Sequence, residues 1–277
     1  MDNSQGIVVL PTYNERDSLP LVIARIRDIV PGLHILVVDD NSPDGTGVLA
    51  DEIAAAHPGI VFTLHRACKA GLGAAYAAGF QYAIERGYDV ILQMDADLSH
   101  RPEYLPEFLT AIQQCDVVIG SRYVNGINVV GWDFRRLLLS KLASLYVRVI
   151  AGLPVTDATG GFKCWRRRAL IAVDLASVFS NGYLFQIETT YKAFRSGCAI
   201  QECPIVFYER SLGRSKLDRR IIVEAVFGVI RLRMQSWTDA IRRGRRTSRP
   251  VPAGASDVAR RQQPGSTCAP GLHINLR

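Results

Sequence analysis

"LHILVVDDNSPDGT" (Leu33–Thr46) sets an apolar run directly against a cluster of acids and turn formers. Ile35, Leu36, Val37 and Val38 are consecutive, with no polar residue between them. Side chains alternate faces along a strand, so an unbroken apolar run predicts a strand whose two faces are both covered. The unit recurs on either side. "GIVVL" precedes a helical stretch to about Val30, and "IVFTLHR" precedes another over Leu72–Arg86. "DVILQMD" precedes one over Glu103–Gln114, "DVVIGSRY" closes the series, and Gly47–Ala56 supplies the helix after the quoted stretch. Strand–helix alternation of this kind predicts an α/β protein with a doubly wound, mostly parallel sheet and flanking helices.

Such sheets bind ligands beyond the carboxyl ends of their strands. Four polar clusters fall at those ends: "PTYNE" (Pro11–Glu15), "DDNSPDGT" (Asp39–Thr46), "DADLSH" (Asp95–His100) and "SRY" (Ser121–Tyr123). Downstream, Gly131–Gly152 reads as a long amphipathic helix, "DATGGFKCWRR" as a turn feeding a strand, Gly182–Phe194 as a helix and Ile200–Arg210 as one strand. "SLGRSK" (Ser211–Lys216) reads as a flexible basic loop, and Leu217–Trp237 as a terminal helix. "GLGAAYAAG" (Gly71–Gly79) imitates a dinucleotide fingerprint, but it has Tyr76 at the third glycine and lies inside a helix. Its small residues are expected to serve close packing instead.

The chain of 277 residues has a formal charge of +7. Residues 241–277 hold eight arginines, no lysine and one acid, Asp257, and so account for the whole excess. The expected organisation is a domain over residues 1–240 and a basic, disordered tail over 241–277. The tail either stays solvated or is drawn to anionic lipid. No aromatic residue interleaves with its arginines, which argues against nucleic acid. Six cysteines without metal-ligand spacing suggest a reduced, cytoplasmic protein. "IVVL" is too short for a signal-peptide core, and no apolar run approaches the roughly 20 residues a membrane span needs.

Asp95 and Asp97, at i and i+2 on one strand, are expected to present two carboxylates to the same side. A divalent cation such as Mg²⁺ would relieve their repulsion, with Ser99 as a weaker oxygen ligand. The implied substrate carries a diphosphate, for which Arg122, Arg136, Arg210, Arg214 and Lys216 are candidate partners. Glu15, Asp39 and Asp40 stand where a carboxylate can accept from a nucleobase or ribose.

Taken in order, "PTYNE", "VVDDNSPDGT", "KAGLGAAY", "MDADLSH", "GSRY", "GW…R…S", "DATGGF", "GYLFQIE" and "ER…GRSK" resemble the polyprenol-phosphate mannosyltransferases of glycosyltransferase family 2. The resemblance runs from about Val8 to about Trp237 and implies the GT-A fold. It implies transfer of mannose from GDP-mannose to a polyprenyl (dolichyl-type) monophosphate, with inversion. By it, Pro11, Tyr13, Glu15, Asp40 and Asp95 contact the sugar nucleotide, while Asp95 and Asp97 serve Mg²⁺ or Mn²⁺. Arg122, Arg136, Arg214 and Lys216 face the diphosphate or the lipid phosphate. Gly160 stands where relatives usually carry serine, and Ser99 where some carry glutamine, which leaves the metal preference open.

A polyprenyl monophosphate is mostly dianionic at neutral pH, so no carboxylate is expected to act as an indispensable base. A lipid acceptor also implies peripheral contact at the cytoplasmic face of a membrane, or docking on a membrane partner. Ile221–Ile230 either packs against the sheet or lies at that interface. The competing readings are a UDP-glucose or other nucleotide-sugar donor, a soluble acceptor, and a non-catalytic regulatory subunit.

Overall fold

The computed structural model describes residues 6–209 and 226–235. Seven strands form one sheet: β1 (Gly6–Thr12), β2 (His34–Asp39), β3 (Val61–His65), β4 (Val90–Gln93), β5 (Val117–Ser121), β7 (Lys163–Arg166) and β8 (Ile200–Pro204). Their order is β3-β2-β1-β4-β7-β5-β8, and β7 alone runs antiparallel to its neighbours. The helices are α1 (Leu19–Ile29), α2 (Thr46–Ala56), α3 (Leu72–Glu85), α4 (Leu105–Ala111), α5 (Phe134–Ala151), α6 (Arg167–Val173) and α7 (Gly182–Arg195). The expected doubly wound, mostly parallel sheet is present.

The unbroken apolar runs have the physical origin read from the sequence. Ile7 and Val9 of β1, with Leu36 and Val38 of β2, enter a core shared with Tyr76, Phe80, Trp165 and Phe185. Val8, Leu10, Ile35 and Val37 enter the opposite core, with Leu19, Val22 and Ile26 of α1 and Phe108 of α4. Period-two alternation into two dry layers makes every position apolar.

Three elements differ from the reading of the sequence. "IQECPIVFYER" is not one strand: β8 pairs with β5 as far as Pro204, and Phe207–Tyr208 (β9) then pairs with Val129–Val130 (β6) in a separate two-stranded sheet. Pro204 has no N–H to carry the ladder onward, and Val206 N–H turns to the Tyr104 hydroxyl at 2.8 Å. The helix α6, which begins directly after β7, was not foreseen. Finally, β4 ends at Gln93, so Asp95 and Asp97 lie beyond the strand.

Residues 226–235 are helical. Val229 and Leu232 are buried in the core, so this part of the terminal helix packs inward as one of the two alternatives expected, whereas Phe227 and Met234 are exposed. Its rest, the "SLGRSK" loop with Arg210, Arg214 and Lys216, and the tail from residue 241 lie outside the described residues.

Candidate active site

Beyond β1 and β2 the two loops are laced into one structure. Thr12 donates its hydroxyl to Asp39 Oδ1 (2.9 Å), and Asp39 also accepts from Ser42 N–H (3.0 Å) and the Ser42 hydroxyl (2.6 Å). Asn14 N–H reaches the Ser42 hydroxyl (3.1 Å) and Glu15 N–H the Thr46 hydroxyl (3.0 Å). Asn14 and Asn41 take left-handed conformations, the role in which asparagine is tolerated. Pro11 is buried in β1, while Tyr13 and Glu15 are half-buried on the loop. The Lys69 ammonium sits 3.6 Å over the Tyr13 ring. Asp40 is buried and paired with Arg66 at 2.5 Å, a partner the sequence did not suggest.

The sheet order reverses between β1 and β4, and the crevice opened by diverging connections is where such folds bind ligands. Asp95, Asp97 and Ser99 lie there on one loop. Strand alternation does not place them. Asp97 Oδ1 accepts from Ser99 N–H (3.0 Å) and the Ser99 hydroxyl (2.5 Å), an aspartate turn, and Leu98 inside it has φ 65. Asp95 N–H donates to His100 Nδ1 (3.0 Å), which puts the imidazole proton on Nε2, and Asp95 Oδ1 accepts from the Tyr76 hydroxyl (2.7 Å). Two carboxylates and a hydroxyl form an all-oxygen set that suits a hard divalent ion. Among the described residues no three His, Cys, Asp or Glu side chains form a metal-holding group.

Arg122, on the loop after β5, is buried and turned onto Asp157 rather than outward. Its Nε and Nη2 reach the two carboxylate oxygens at 2.7 and 2.6 Å, its backbone N–H donates to Oδ2 (3.0 Å), and Nη2 also meets Thr159 Oγ1 (2.8 Å). Burial alone would lower the Arg122 pKa, but the Asp157 charge raises it overall. Burial would raise Asp157, yet the Arg122 charge and hydrogen bonds hold it below the usual carboxylate range. Asp157 is in turn fixed through its N–H, which donates to Glu202 on β8 (2.9 Å). Of the guanidinium, only the Nη1 edge lies outside these bonds.

Arg136 donates to Glu209 (2.7 Å), and its guanidinium lies 4.2 Å from the Trp132 ring centre. Trp132 is also 5.2 Å from Arg122, and Phe207 bridges Trp132 (5.4 Å) to His100 (5.7 Å). An aromatic bridge therefore joins the aspartate loop to both arginines.

Sequence reasoning missed Lys163, Gln186 and Asn181. Lys163 is fully buried in β7, a lone charge inside "GGFKCW" that could have signalled itself. Asn181 Oδ1 accepts from Gly73 N–H (2.9 Å) and Ala74 N–H (3.3 Å), capping α3 from across the molecule. A Cβ on Gly79 would fall 2.3 Å from Val9, so "GLGAAYAAG" serves close packing as expected.

These features define a GT-A type sugar transferase: a mostly parallel sheet with two carboxylates on the loop at its reversal point and two arginines joined to that loop through aromatic rings. The fold is shared with glucosyl-3-phosphoglycerate synthase of Mycobacterium tuberculosis, solved with Mn²⁺, UDP and glucosyl-3-phosphoglycerate (TM-score 0.59, 20% identity, 84% of this chain and 80% of that one). The model of "Glycosyl transferase family 2" matches residues 7–173. A polyprenol monophosphomannose synthase of Mycolicibacterium smegmatis is 51% identical over 80% of this chain and 84% of its own length. An undecaprenyl-phosphate mannosyltransferase of Micrococcus luteus is 48% identical over 85% and 97%. The chain belongs to glycosyl transferase family 2 and, within it, to the polyprenol-phosphate mannosyltransferases.

Proposed function

We propose that the protein transfers mannose from GDP-mannose to a polyprenyl monophosphate, in one in-line displacement with inversion at the sugar. The observation that carries this reading is the likeness, near half identity and over most of both chains, to two enzymes named for that product class. Pro11, Tyr13, Glu15, Asp40 and Asp95 are assigned to the sugar nucleotide. Asp95 and Asp97, with Ser99 beside them, would hold Mg²⁺ or Mn²⁺ together with diphosphate oxygens, and the ion would offset charge gathering on the departing nucleotide. A Mn²⁺ ion accompanies UDP in the structural neighbour. Arg122 through its Nη1 edge, Arg136, Arg214 and Lys216 are assigned to the diphosphate or the acceptor phosphate.

No side chain is assigned as a base. The acceptor phosphate is already mostly dianionic at neutral pH, and Asp157, the buried carboxylate nearest Arg122, is saturated by that arginine. Its task is to hold Arg122.

The acceptor lipid requires the site to meet a membrane. Among the described residues no helix is long and apolar enough to cross one. Phe134, Leu138, Leu142, Leu145 and Val149 are all exposed and recur at helical spacing along one stripe of α5, which starts beside Trp132 and Arg136. We assign this stripe to peripheral contact at the cytoplasmic face.

The test is transfer of label from GDP-mannose to polyprenyl phosphate, with Mg²⁺ and with EDTA. Metal-dependent transfer that Asp97→Ala lowers at least a hundredfold is expected. Transfer from UDP-glucose alone would replace the donor, and transfer only to a water-soluble acceptor would reject the lipid.

A further inference from the structure

Gln186, on α7, is 2% exposed, and its side-chain nitrogen Nε2 has no hydrogen-bond partner. A buried amide N–H left in that state is costly unless a ligand satisfies it. Its orientation is forced by donors that cannot reverse. The Trp165 indole N–H donates to Gln93 Oε1 (3.2 Å), which obliges Gln93 Nε2 to donate to Gln186 Oε1 (2.6 Å). Lys163 Nζ also donates to that oxygen (3.1 Å), and is completed by the Gln186 carbonyl (2.8 Å) and the Thr190 hydroxyl (2.9 Å). The indole has no acceptor role, so the Trp165–Gln93 relay locks Oε1 inward whether or not Lys163 carries its extra proton, and Nε2 is the atom left to point elsewhere.

That atom faces Gly161. A Cβ at Gly161 would sit 3.8 Å from Gln186 Nε2, 3.9 Å from Asp95 Oδ2 and 3.4 Å from His100 Cε1. Those are ordinary contact distances, and Gly161 is absent from the residues of positive φ. Neither backbone nor crowding demands glycine here. Glycine leaves without a side chain a place that an unpartnered donor, Gln186 Nε2, and a carboxylate oxygen, Asp95 Oδ2, both border.

A phosphate oxygen only accepts, and Asp95 would repel it there. A hydroxyl both donates and accepts, so it can give its hydrogen to Asp95 Oδ2 and take one from Gln186 Nε2. We infer that Gln186 and Gly161 form a seat for a hydroxyl of the transferred sugar, with Lys163, Gln93 and Trp165 as positioning residues. The inference rests on the proposed sugar-nucleotide reading and adds a specificity contact to it.

The experiment measures calorimetric affinities of GDP-mannose and GDP, in Mg²⁺, for the wild-type chain, Gln186→Glu and Gly161→Ala. Gln186→Glu keeps the acceptor for Lys163 and removes the outward donor. Gly161→Ala fills the point while meeting only ordinary contacts, so its folding is not in question. Both variants should weaken GDP-mannose roughly tenfold, the worth of about one such hydrogen bond, with GDP unchanged. An unchanged preference for GDP-mannose over GDP would overturn the seat, as would equal losses for both ligands, which mark a structural role. The wild-type transfer assay is run beside it. If that enzyme uses UDP-glucose instead, the donor reading fails by itself, and the same comparison with UDP-glucose and UDP decides the seat.

Discussion

Burial of Lys163 in β7, where it registers with Gln93 on one side and Ile119 on the other, pushes its pKa down to about 7, with the Asp157 charge opposing part of the fall. The ordinary value is 10.5, so between these limits the unfolded chain holds a proton that the native protein has released. Stability from this group therefore rises with pH across that window, and the gain is lost as pH falls through 7. Urea unfolding of wild type and Lys163→Met at pH 6.5 and pH 9 isolates the effect. Wild type should gain on the order of 2 kcal/mol relative to the variant over that interval. An equal pH response in both proteins would mean that the ammonium does not titrate there. At this scale the gathering of Asp39, Asp40, Asp95 and Asp97 at one edge of the sheet was legible, because charges at strand ends have few other uses. The direction of Arg122 and the roles of Lys163 and Gln186 were not. They depend on which strand lies opposite which, and on donor-only neighbours distant in sequence.

The elements were legible where apolar period and turn residues agree, as in β1, β2 and α3, and less so where tertiary partners end them. The start of α3 shows why. Its N-cap is Gly71, which has no side chain to satisfy the first amides. Asn181 supplies the oxygen from 108 residues away, and the same oxygen accepts from Gly182 N–H at the start of α7 (3.2 Å). Glu188 fixes that approach by accepting from the N–H (3.0 Å) and hydroxyl of Ser180. One side chain thus caps two helices whose ends converge near the site. Asn181→Ala should cost about 2 kcal/mol in urea unfolding, more than a single ordinary cap, whereas Asn181→Asp should retain most of that stability by keeping the oxygen at two positive helix ends. A loss for aspartate equal to that for alanine would assign the effect to the Asn181 Nδ2 bond with the Ala70 carbonyl instead.

Across the whole molecule, amphipathic α5 could be read from sequence, but which of its faces stayed uncovered could not. Hydrophobic periodicity marks a stripe without saying what covers it, and the sequence drew attention to Ile221–Ile230 and the arginine tail instead. The described residues leave Phe134 74% exposed and Val149 68% exposed, at opposite ends of the same stripe. Arg135, Lys141 and Arg148 are exposed on the same helix, the composition of one lying along an anionic lipid surface. Each large apolar side chain moved from water into the acyl boundary is worth about 1.5–3 kcal/mol when fully buried, so partial insertion of five yields reversible adhesion. Leu142→Asp and Val149→Asp should each lower the partition coefficient onto phosphatidylglycerol vesicles by about tenfold or more. The melting temperature should stay unchanged, because both side chains are exposed in the fold. Transfer to polyprenyl phosphate in vesicles should fall with binding, while transfer to a short-chain acceptor dissolved in detergent stays at the wild-type rate. Wild-type vesicle binding by both variants would remove α5 from the membrane surface and leave the arginine-rich tail or a protein partner to bring the site to its lipid.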